Sequence, residues 1–499
     1  MAIGTTSPDL LIELDRSRPR GLRAQVEDGL RAAIRDGRLG PGTRLPSSRA
    51  LAVDLGVTRG VVVEAYEQLA AEGYVTTVQG SGTRVNDVAA PGPGHDRAAA
   101  PAPTAPLTHD FRIGLPDLGL FPRAAWARAT RGALVAMPDA DLGYLPPAGL
   151  PRLRAAVAAY LGRVRGVACG PDQVVICNGF GHGFSLVIRA LAERGIDDVA
   201  VEVPGYDDPR DQIAWAGARV HPVPVDAEGL RTADLAALPV GAVVVTPAHQ
   251  SPTGVVLSPR RRTELADWAR ERGGYVVEDD YDAEYRYDRH PVGALQGVLP
   301  DRVIYHGTLS KSLAPGLRLG WLVAPPDLLD DVLRARSVTD HMTASLVQAT
   351  FAEFLERGDL DRHLRRTRRI YRQRRDALVD ALARWLPGAR VGGVSAGLTA
   401  YVTLPAGWDS GEVVEVARRH GVGVYQVPDP LMPADLHAAT LTLGFGTQRP
   451  SQITEGIRLL AAAFDGRVPT GSAQAGASLS SGEHGSDGDR EVSDGLAAP

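Results

Sequence analysis

Lys311 is the only lysine in a chain of 499 residues; every other strongly basic side chain is an arginine. Arginine serves a solvated surface about as well as lysine, but its guanidinium stays protonated and cannot attack a carbonyl as a free amine. The one retained lysine is therefore a candidate nucleophile. It ends the run His306-Gly307-Thr308-Leu309-Ser310-Lys311, and Arg318-Leu319-Gly320 follows at a short offset. Upstream, Tyr275-Val276-Val277-Glu278-Asp279-Asp280-Tyr281-Asp282-Ala283-Glu284-Tyr285-Arg286-Tyr287 reads as a strand entering an acidic, tyrosine-rich turn. Such a carboxylate cluster can hold a metal, but no His or Cys accompanies it at ligand spacing, so no metal is expected. A third segment, Asn178-Gly179-Phe180-Gly181-His182, links a strand to a helix, and its backbone N–H groups can cradle a phosphate.

These residues need a scaffold. From residue 109 to 466 short apolar runs alternate with helical segments. The runs are Val174–Cys177, Val199–Val203, Ala242–Thr246, Tyr275–Glu278, Val303–His306 and Leu319–Ala324; the helices include Arg152–Leu161, Phe184–Glu193 and Pro259–Arg272. Buried strands alternating with helices predict an α/β domain with a mostly parallel sheet. Past Pro326, long helices and the strands Leu398–Leu404, Gly421–Val427 and Thr440–Phe445 predict a smaller α+β lobe. The arginine-rich stretch Arg362–Arg375 reads as a solvated helix face paired with nearby Asp or Glu. Residues 87–108 are Ala/Pro-rich and predict a linker, and residues 467–499 lack hydrophobic periodicity and predict a disordered tail. Net charge is −5, so any nucleic-acid contact must come from a local basic patch. Cys169 and Cys177 fit neither a metal spacing nor a disulfide framework, and no apolar run is long enough for a bilayer. A cytoplasmic, nucleoid-associated protein is expected.

Residues 10–86 form a separate block. Leu22, Val26, Leu30, Ala33 and Ile34 recur at helical spacing; Ser47 is placed to cap a second helix and Thr58 a third, with Gly56 between them. That is a helix-turn-helix layout. Tyr74–Val78 and Thr83–Val85, around Gln79-Gly80-Ser81-Gly82, predict a hairpin with a glycine tip. The stretch "LPSSRALAVDLGVTRGVVVEAYEQLAAEGYVTTVQGSGTRV" resembles the GntR family of winged-helix regulators. The resemblance implies that Thr58, Arg59 and Gly60 enter the DNA major groove and that Arg49 contacts a base or phosphate. The wing residues Gly80, Ser81 and Gly82 would approach the backbone. Physically, an arginine can grip a guanine edge bidentately, and glycine allows close approach.

The segment ending at Lys311 resembles the Schiff-base segment of fold-type-I aminotransferases. The resemblance implies pyridoxal 5'-phosphate as cofactor, bound as a Schiff base to Lys311, with Thr308, Ser310 and Arg318 on its phosphate beside the backbone of Gly179, Phe180 and Gly181. It assigns Asp279 to the pyridinium nitrogen, which keeps the ring an electron sink, and Tyr281 to the phenolic oxygen. Tyr206 in Pro204-Gly205-Tyr206 matches the aromatic that stacks on the ring, and Tyr144 a tyrosine that reaches the phosphate in a partner subunit. "PAHQSPTG", "EDDYDAEYRY" and "GTLSKSLAPGLRLG", joined to a GntR-type head, are similar to the MocR subfamily. Two departures matter. Ser251 stands where aminotransferases carry an Asn on the phenolic oxygen, leaving His249 or Gln250 to compensate. In "ATLTLGFG", Thr442 takes the place of the arginine that grips a substrate carboxylate, and a neutral hydroxyl is no substitute for a charged fork.

Three functions follow from these readings. The first is a regulator whose head binds operator DNA and whose body senses pyridoxal phosphate or an amino-compound effector, as a head-to-tail homodimer. The second is an active aminotransferase with an accessory DNA-binding domain, and the third a degenerate dimerisation scaffold. Lys311, Asp279, Tyr281 and Arg318 together argue against the scaffold, and Thr442 argues against more than weak or partial transamination.

Overall fold

The computed structural model describes residues 12–16, 21–78, 82–87, 107–287, 292–393, 395–405, 407–426 and 439–464. The chain divides into two compact units, residues 1–104 and 105–499. Among the described residues no helix is long and apolar enough to cross a membrane.

In the first unit α1 (Leu22–Arg35), α2 (Ser48–Asp54) and α3 (Arg59–Ala71) precede the hairpin β1 (Val75–Val78) and β2 (Gly82–Val85). The helical spacing read in the sequence is the buried face: Val26, Leu30, Ala33 and Ile34 of α1 meet Leu51 and Ala52 of α2 and Val62, Ala65, Tyr66 and Leu69 of α3. Ser47 caps α2 by accepting from Ala50 N at 3.2 Å. Thr58 occupies the cap position of α3 with extended backbone, but its hydroxyl makes no cap bond. The strands pair antiparallel with Val78 opposite Gly82; the predicted tip residues Gly80 and Ser81 lie outside the described residues, as do residues 88–106 of the linker and the whole tail.

The second unit opens with β3 (His109–Asp110) and holds an eight-stranded sheet. Its strands are β4 (Val174–Cys177), β5 (Asp198–Val203), β6 (Arg219–Asp226), β7 (Gly229–Leu230), β8 (Ala242–Val245), β9 (Tyr275–Asp280), β10 (Val303–Thr308) and β11 (Gly320–Val323). They lie in the order β4-β11-β10-β9-β8-β5-β6-β7. From β10 to β6 all pairs are parallel, while β11 runs antiparallel to both β10 and β4. The six predicted strands are present. β6 was not among them, because Pro222 and Pro224 interrupt its apolar run; they are tolerated because only the two-residue β7 pairs on its outer side. The helix predicted from Phe184 starts at Phe180, so Phe180, Gly181 and His182 form its first turn rather than a loop.

The smaller lobe pairs β12 (Arg390–Gly392), β13 (Thr399–Thr403) and β15 (Thr440–Gly444) antiparallel, and β14 (Val422–Gly423) pairs in parallel with β3. The strand expected over Gly421–Val427 thus shrinks to two residues plus a bridge from Tyr425 to Thr442. The segment after β3 is threaded between these strands: Phe111 N donates to Gly423 O and Gly444 N donates to Phe111 O, at 2.9 and 2.8 Å.

A Cβ on Gly444 would overlap the Arg112 carbonyl and come within 3.1 Å of Ile113 Cα. Both obstacles are backbone. Gly444→Ala is therefore expected to cost about 1–3 kcal/mol of stability, read as a lowered denaturant midpoint with an unchanged slope.

Candidate functional site

The parallel strands bring their carboxyl ends to one edge of the sheet, where open α/β sheets bind ligands. β9 delivers Asp279 there, and β10 delivers Thr308 and, after a turn, Lys311. The reversed β11 begins at the same edge, with Gly320 opposite Cys177 of β4 on one side and Thr308 of β10 on the other. That register brings Gly179, Thr308 and Arg318 together. A Cβ on Gly320 would lie 2.8 Å from Gly307 O and 2.9 Å from Gly179 Cα, so close packing of backbones makes the corner.

Glu278, Asp279 and Asp280 are consecutive, buried carboxylates, and strand alternation sorts them. Glu278 accepts from the backbone N–H groups of Leu295 and Gln296 at 2.8 and 2.9 Å, and burial pushes its carboxyl up to about 7. Asp280 pairs with Arg165 at 2.6 Å and accepts from the Tyr305 hydroxyl at 2.6 Å. Only Asp279 turns toward the lysine. Its Oδ2 accepts from the Tyr206 hydroxyl at 2.7 Å, while its Oδ1 is buried without a hydrogen-bond partner. Burial pushes this carboxyl up to about 7, and the Tyr206 hydroxyl and Lys311 pull against that rise. A buried acceptor left unsatisfied awaits a donor.

Lys311 is partly buried, and its Nζ donates to Gly114 O at 2.8 Å. Burial lowers its pKa, against the opposing pull of Asp282, Asp279 and Asp208. Nearby, Thr308 donates to Ser310 Oγ at 2.9 Å, and Gly179 (φ 91°) precedes the helix Phe180–Glu193. A Cβ on Gly179 would sit 3.5 Å from Arg318 Nη1, so the guanidinium lies over a helix N-terminus whose free N–H groups favour an anion. The Phe180 ring packs 6.0 Å from Tyr206 and 5.2 Å from His306, whose imidazole burial pushes down to about 3. An amine, an orphan carboxylate oxygen and a guanidinium over a glycine turn fit a phosphorylated pyridine aldehyde.

The Tyr281 hydroxyl lies 3.1 Å from His249 Nδ1. Gln250 is committed elsewhere: its amide donates to Pro204 O and Ser251 O, both at 2.8 Å, and accepts from Thr253. Of the two expected stand-ins for the missing Asn, only His249 reaches Tyr281. Thr442 is fully buried in β15 and its hydroxyl donates to Tyr425 O at 3.2 Å, so it offers no anion grip. Tyr144 is 89% exposed. Sequence reasoning missed Gly114, Tyr206's bond to Asp279, and Arg112, an exposed guanidinium two residues before Gly114 that pairs with Asp110 at 3.3 Å. No periodicity marks a loop brought in by a distant strand pairing.

The arginine-rich stretch lies within the helix Asp359–Trp385 and pairs with acids in part, as expected: Arg362, Arg374 and Arg375 reach Asp359, Asp117 and Asp376. Arg366, Arg368 and Arg372 instead donate to the backbone carbonyls of Leu120, Glu284 and Tyr287. The last two fasten the turn after β9 by satisfying loop oxygens. Among the described residues no group of three His, Cys, Asp or Glu could hold a metal ion.

On the first unit, Arg49, Thr58, Arg59 and Gly60 are all exposed, and Arg59 Nε donates to Ser48 Oγ at 3.3 Å. Gly82 has φ 89°, and a Cβ there would meet the Arg44 guanidinium at 3.0 Å. Arg84 donates to Gly42 O at 2.9 Å. Arg44 and Arg84 thus add two exposed cations at the base of the hairpin; the inward Thr83 beside them was the sequence signal for Arg84.

Residues 110–436 match the family of class I and II aminotransferases, and residues 22–85 the bacterial regulatory proteins of the gntR family. The chain is 34% identical to the probable rhizopine catabolism regulatory protein MocR of Rhizobium meliloti, over 91% of this chain and 96% of that protein. It is 35% identical to the pyridoxine biosynthesis transcriptional regulator PdxR of Corynebacterium glutamicum, over 79% and 86%. Among solved structures, a Pyrococcus horikoshii kynurenine aminotransferase in complex with PMP is similar with a TM-score of 0.65 and 28% identity, over 72% of this chain and 90% of that one.

As the sole lysine, Lys311 reports its own ionisation. Competitive labelling with acetic anhydride across pH is expected to place its pKa below the ordinary 10.5. Asp279→Asn should lower it further, since that carboxylate favours the ammonium. A profile at or above ordinary lysine would contradict the burial argument.

Proposed function

The chain belongs to the MocR-type regulators of the GntR family, which join a winged helix-turn-helix to an aminotransferase-like domain, and on that premise we propose that it is a pyridoxal-phosphate-dependent, DNA-binding transcriptional regulator. The observation that carries the cofactor half is the unpartnered, buried Oδ1 of Asp279 on the same sheet edge as the only lysine. When bound, pyridoxal phosphate supplies an aldehyde that condenses with amines and a ring that withdraws electrons.

The residues divide the work. Lys311, whose pKa burial lowers, offers the amine, and the Gly114 carbonyl orients it. Asp279 would accept from the ring nitrogen, and Tyr206, held by its bond to Asp279, would pack on the ring. Tyr281 donates to the phenolic oxygen. Thr308, Ser310, Arg318 and the N–H groups of Gly179, Phe180 and Gly181 hold the phosphate, joined by Tyr144 across a head-to-tail homodimer. Arg49, Thr58, Arg59, Gly60 and the wing residues Gly80, Ser81 and Gly82 contact operator DNA, with Arg44 and Arg84 on its phosphates. The protein acts in the cytoplasm, at the nucleoid. Its effector is pyridoxal phosphate itself or an amino compound whose acid group is held somewhere other than Thr442. The second reading, an active aminotransferase, keeps the same cofactor residues and lacks that carboxylate anchor.

Operator binding is expected to weaken steeply with salt, as phosphate neutralisation requires. Arg59→Ala should cost about 1–3 kcal/mol and relax specificity in gel-shift titrations. An equal loss on operator and random DNA would make Arg59 a phosphate contact, and no DNA binding by the full chain at any salt would end the regulator reading.

Borohydride reduction of protein loaded with pyridoxal phosphate, followed by peptide mapping, is expected to label Lys311. Ordinary α-amino acids plus a 2-oxo acid should give no sustained turnover, because without an anchor the Cα–H bond is not aligned with the ring. Sustained turnover would favour the aminotransferase.

A further inference from the structure

His249 lies in the large-sheet loop that follows β8, and it is buried. Its Nδ1 is 3.0 and 3.2 Å from the two carboxylate oxygens of Asp282 and 3.1 Å from the Tyr281 hydroxyl; its Nε2 is 3.1 Å from the Gly393 carbonyl of the small lobe. A carboxylate and a carbonyl accept, so these surroundings favour a proton on each ring nitrogen, the imidazolium form. Burial alone would remove that charge, but Asp282 and the Gly393 carbonyl outweigh it and raise the pKa above the ordinary value. The consequence falls on Tyr281. Its hydroxyl lies against Nδ1 and donates to the Asp282 carboxylate, so imidazole and carboxylate together fix where that oxygen sits. Ser251, where an Asn was expected, also bonds this hydroxyl.

The niche is shaped to hold the pair. A Cβ on Gly254 (φ 70°) would lie 2.9 Å from His249 Nε2. One on Gly397 (φ 70°) would lie 2.6 Å from His249 Cε1 and overlap Asp282. Both lobes thus give up side chains to let the imidazole reach across. The geometry points to His249 and Asp282 as positioning residues that fix the Tyr281 hydroxyl at the site and tie it to the small lobe through Gly393. This rests on Tyr281 as the donor to the phenolic oxygen of pyridoxal phosphate.

The charged groups facing the site are few. Asp282, Tyr281 and Arg286 face His249, and Asp279, Asp282 and Asp208 face Lys311; the small lobe contributes the Gly393 carbonyl among its described residues. The test uses the full chain loaded with pyridoxal phosphate and reads the midpoint pH of the bound cofactor's absorbance change. His249→Gln removes a cation and leaves the Asp282 carboxylate, which favours the protonated nitrogen at Lys311, so the midpoint should rise by about one pH unit. Asp282→Asn removes the anion instead and should lower the midpoint. Tyr281→Phe should raise it. The opposite response of the two partners separates positioning from general distortion, which would move both alike. Both variants moving the same way, or neither moving while Tyr281→Phe does, would overturn the inference and leave the cofactor reading intact. A wild-type chain that takes up no pyridoxal phosphate would fail the functional reading itself.

Discussion

Lys311 is held between two opposing forces. Burial favours its neutral amine, while Asp279, Asp282 and Asp208 favour the ammonium. A buried amine surrounded by carboxylates is expensive unless each charge has a donor or acceptor of its own. The body meets that demand unevenly. Both Glu278 oxygens accept from backbone N–H groups, and Asp280 Oδ2 takes Arg165 and Tyr305; Oδ1 of Asp280 and Oδ1 of Asp279 stay open. Of the two, only the Asp279 oxygen belongs to a carboxylate facing the lysine, where it can accept from an incoming donor.

The sheet makes this arrangement possible by exploiting a reversed strand. A wholly parallel sheet would carry Arg318 to the opposite edge from Thr308. Because β11 runs antiparallel between β4 and β10, its first residues lie beside the last residues of both neighbours. Gly179, Gly307 and Gly320 then let three backbones close to contact distance. The long helix Asp359–Trp385 contributes from behind, with guanidiniums that fasten the loop carrying Glu284 and Tyr287.

The small lobe reaches the same site through backbone alone. Phe111 is threaded between β14 and β15, which presents Gly114 O to Lys311, and Gly393 O meets His249. These carbonyls are fixed by strand pairing rather than by side-chain choice. The acceptors of the amine and of the His249 imidazole are thus both set by the backbone path rather than by residue type.

Much of this was legible in the chain itself. Types that chemistry cannot exchange stood out in the sequence: one lysine where arginine would not serve, hydroxyls and an arginine at fixed offsets from it, and a helix, glycine, capped helix in the head. Local periodicity likewise marked the six apolar runs, because a strand buried on both faces must be apolar along its length. β6 escaped because its prolines break that pattern, and the strand expected over Gly421–Val427 was read too long because its pairing is supplied by the two-residue β3, more than three hundred residues earlier. The resemblance named Asp279 among three adjacent carboxylates, but the physical reason is tertiary: which one faces the lysine depends on the pleat and on which face the neighbours cover. Tertiary structure alone decided between His249 and Gln250: both are polar and adjacent, but the backbone turns one toward Tyr281 and seals the other against Glu202 and Pro204. Gly114 and Gly393 could not be read at all, because a carbonyl's partner is set by the fold and leaves no mark on the residue that carries it.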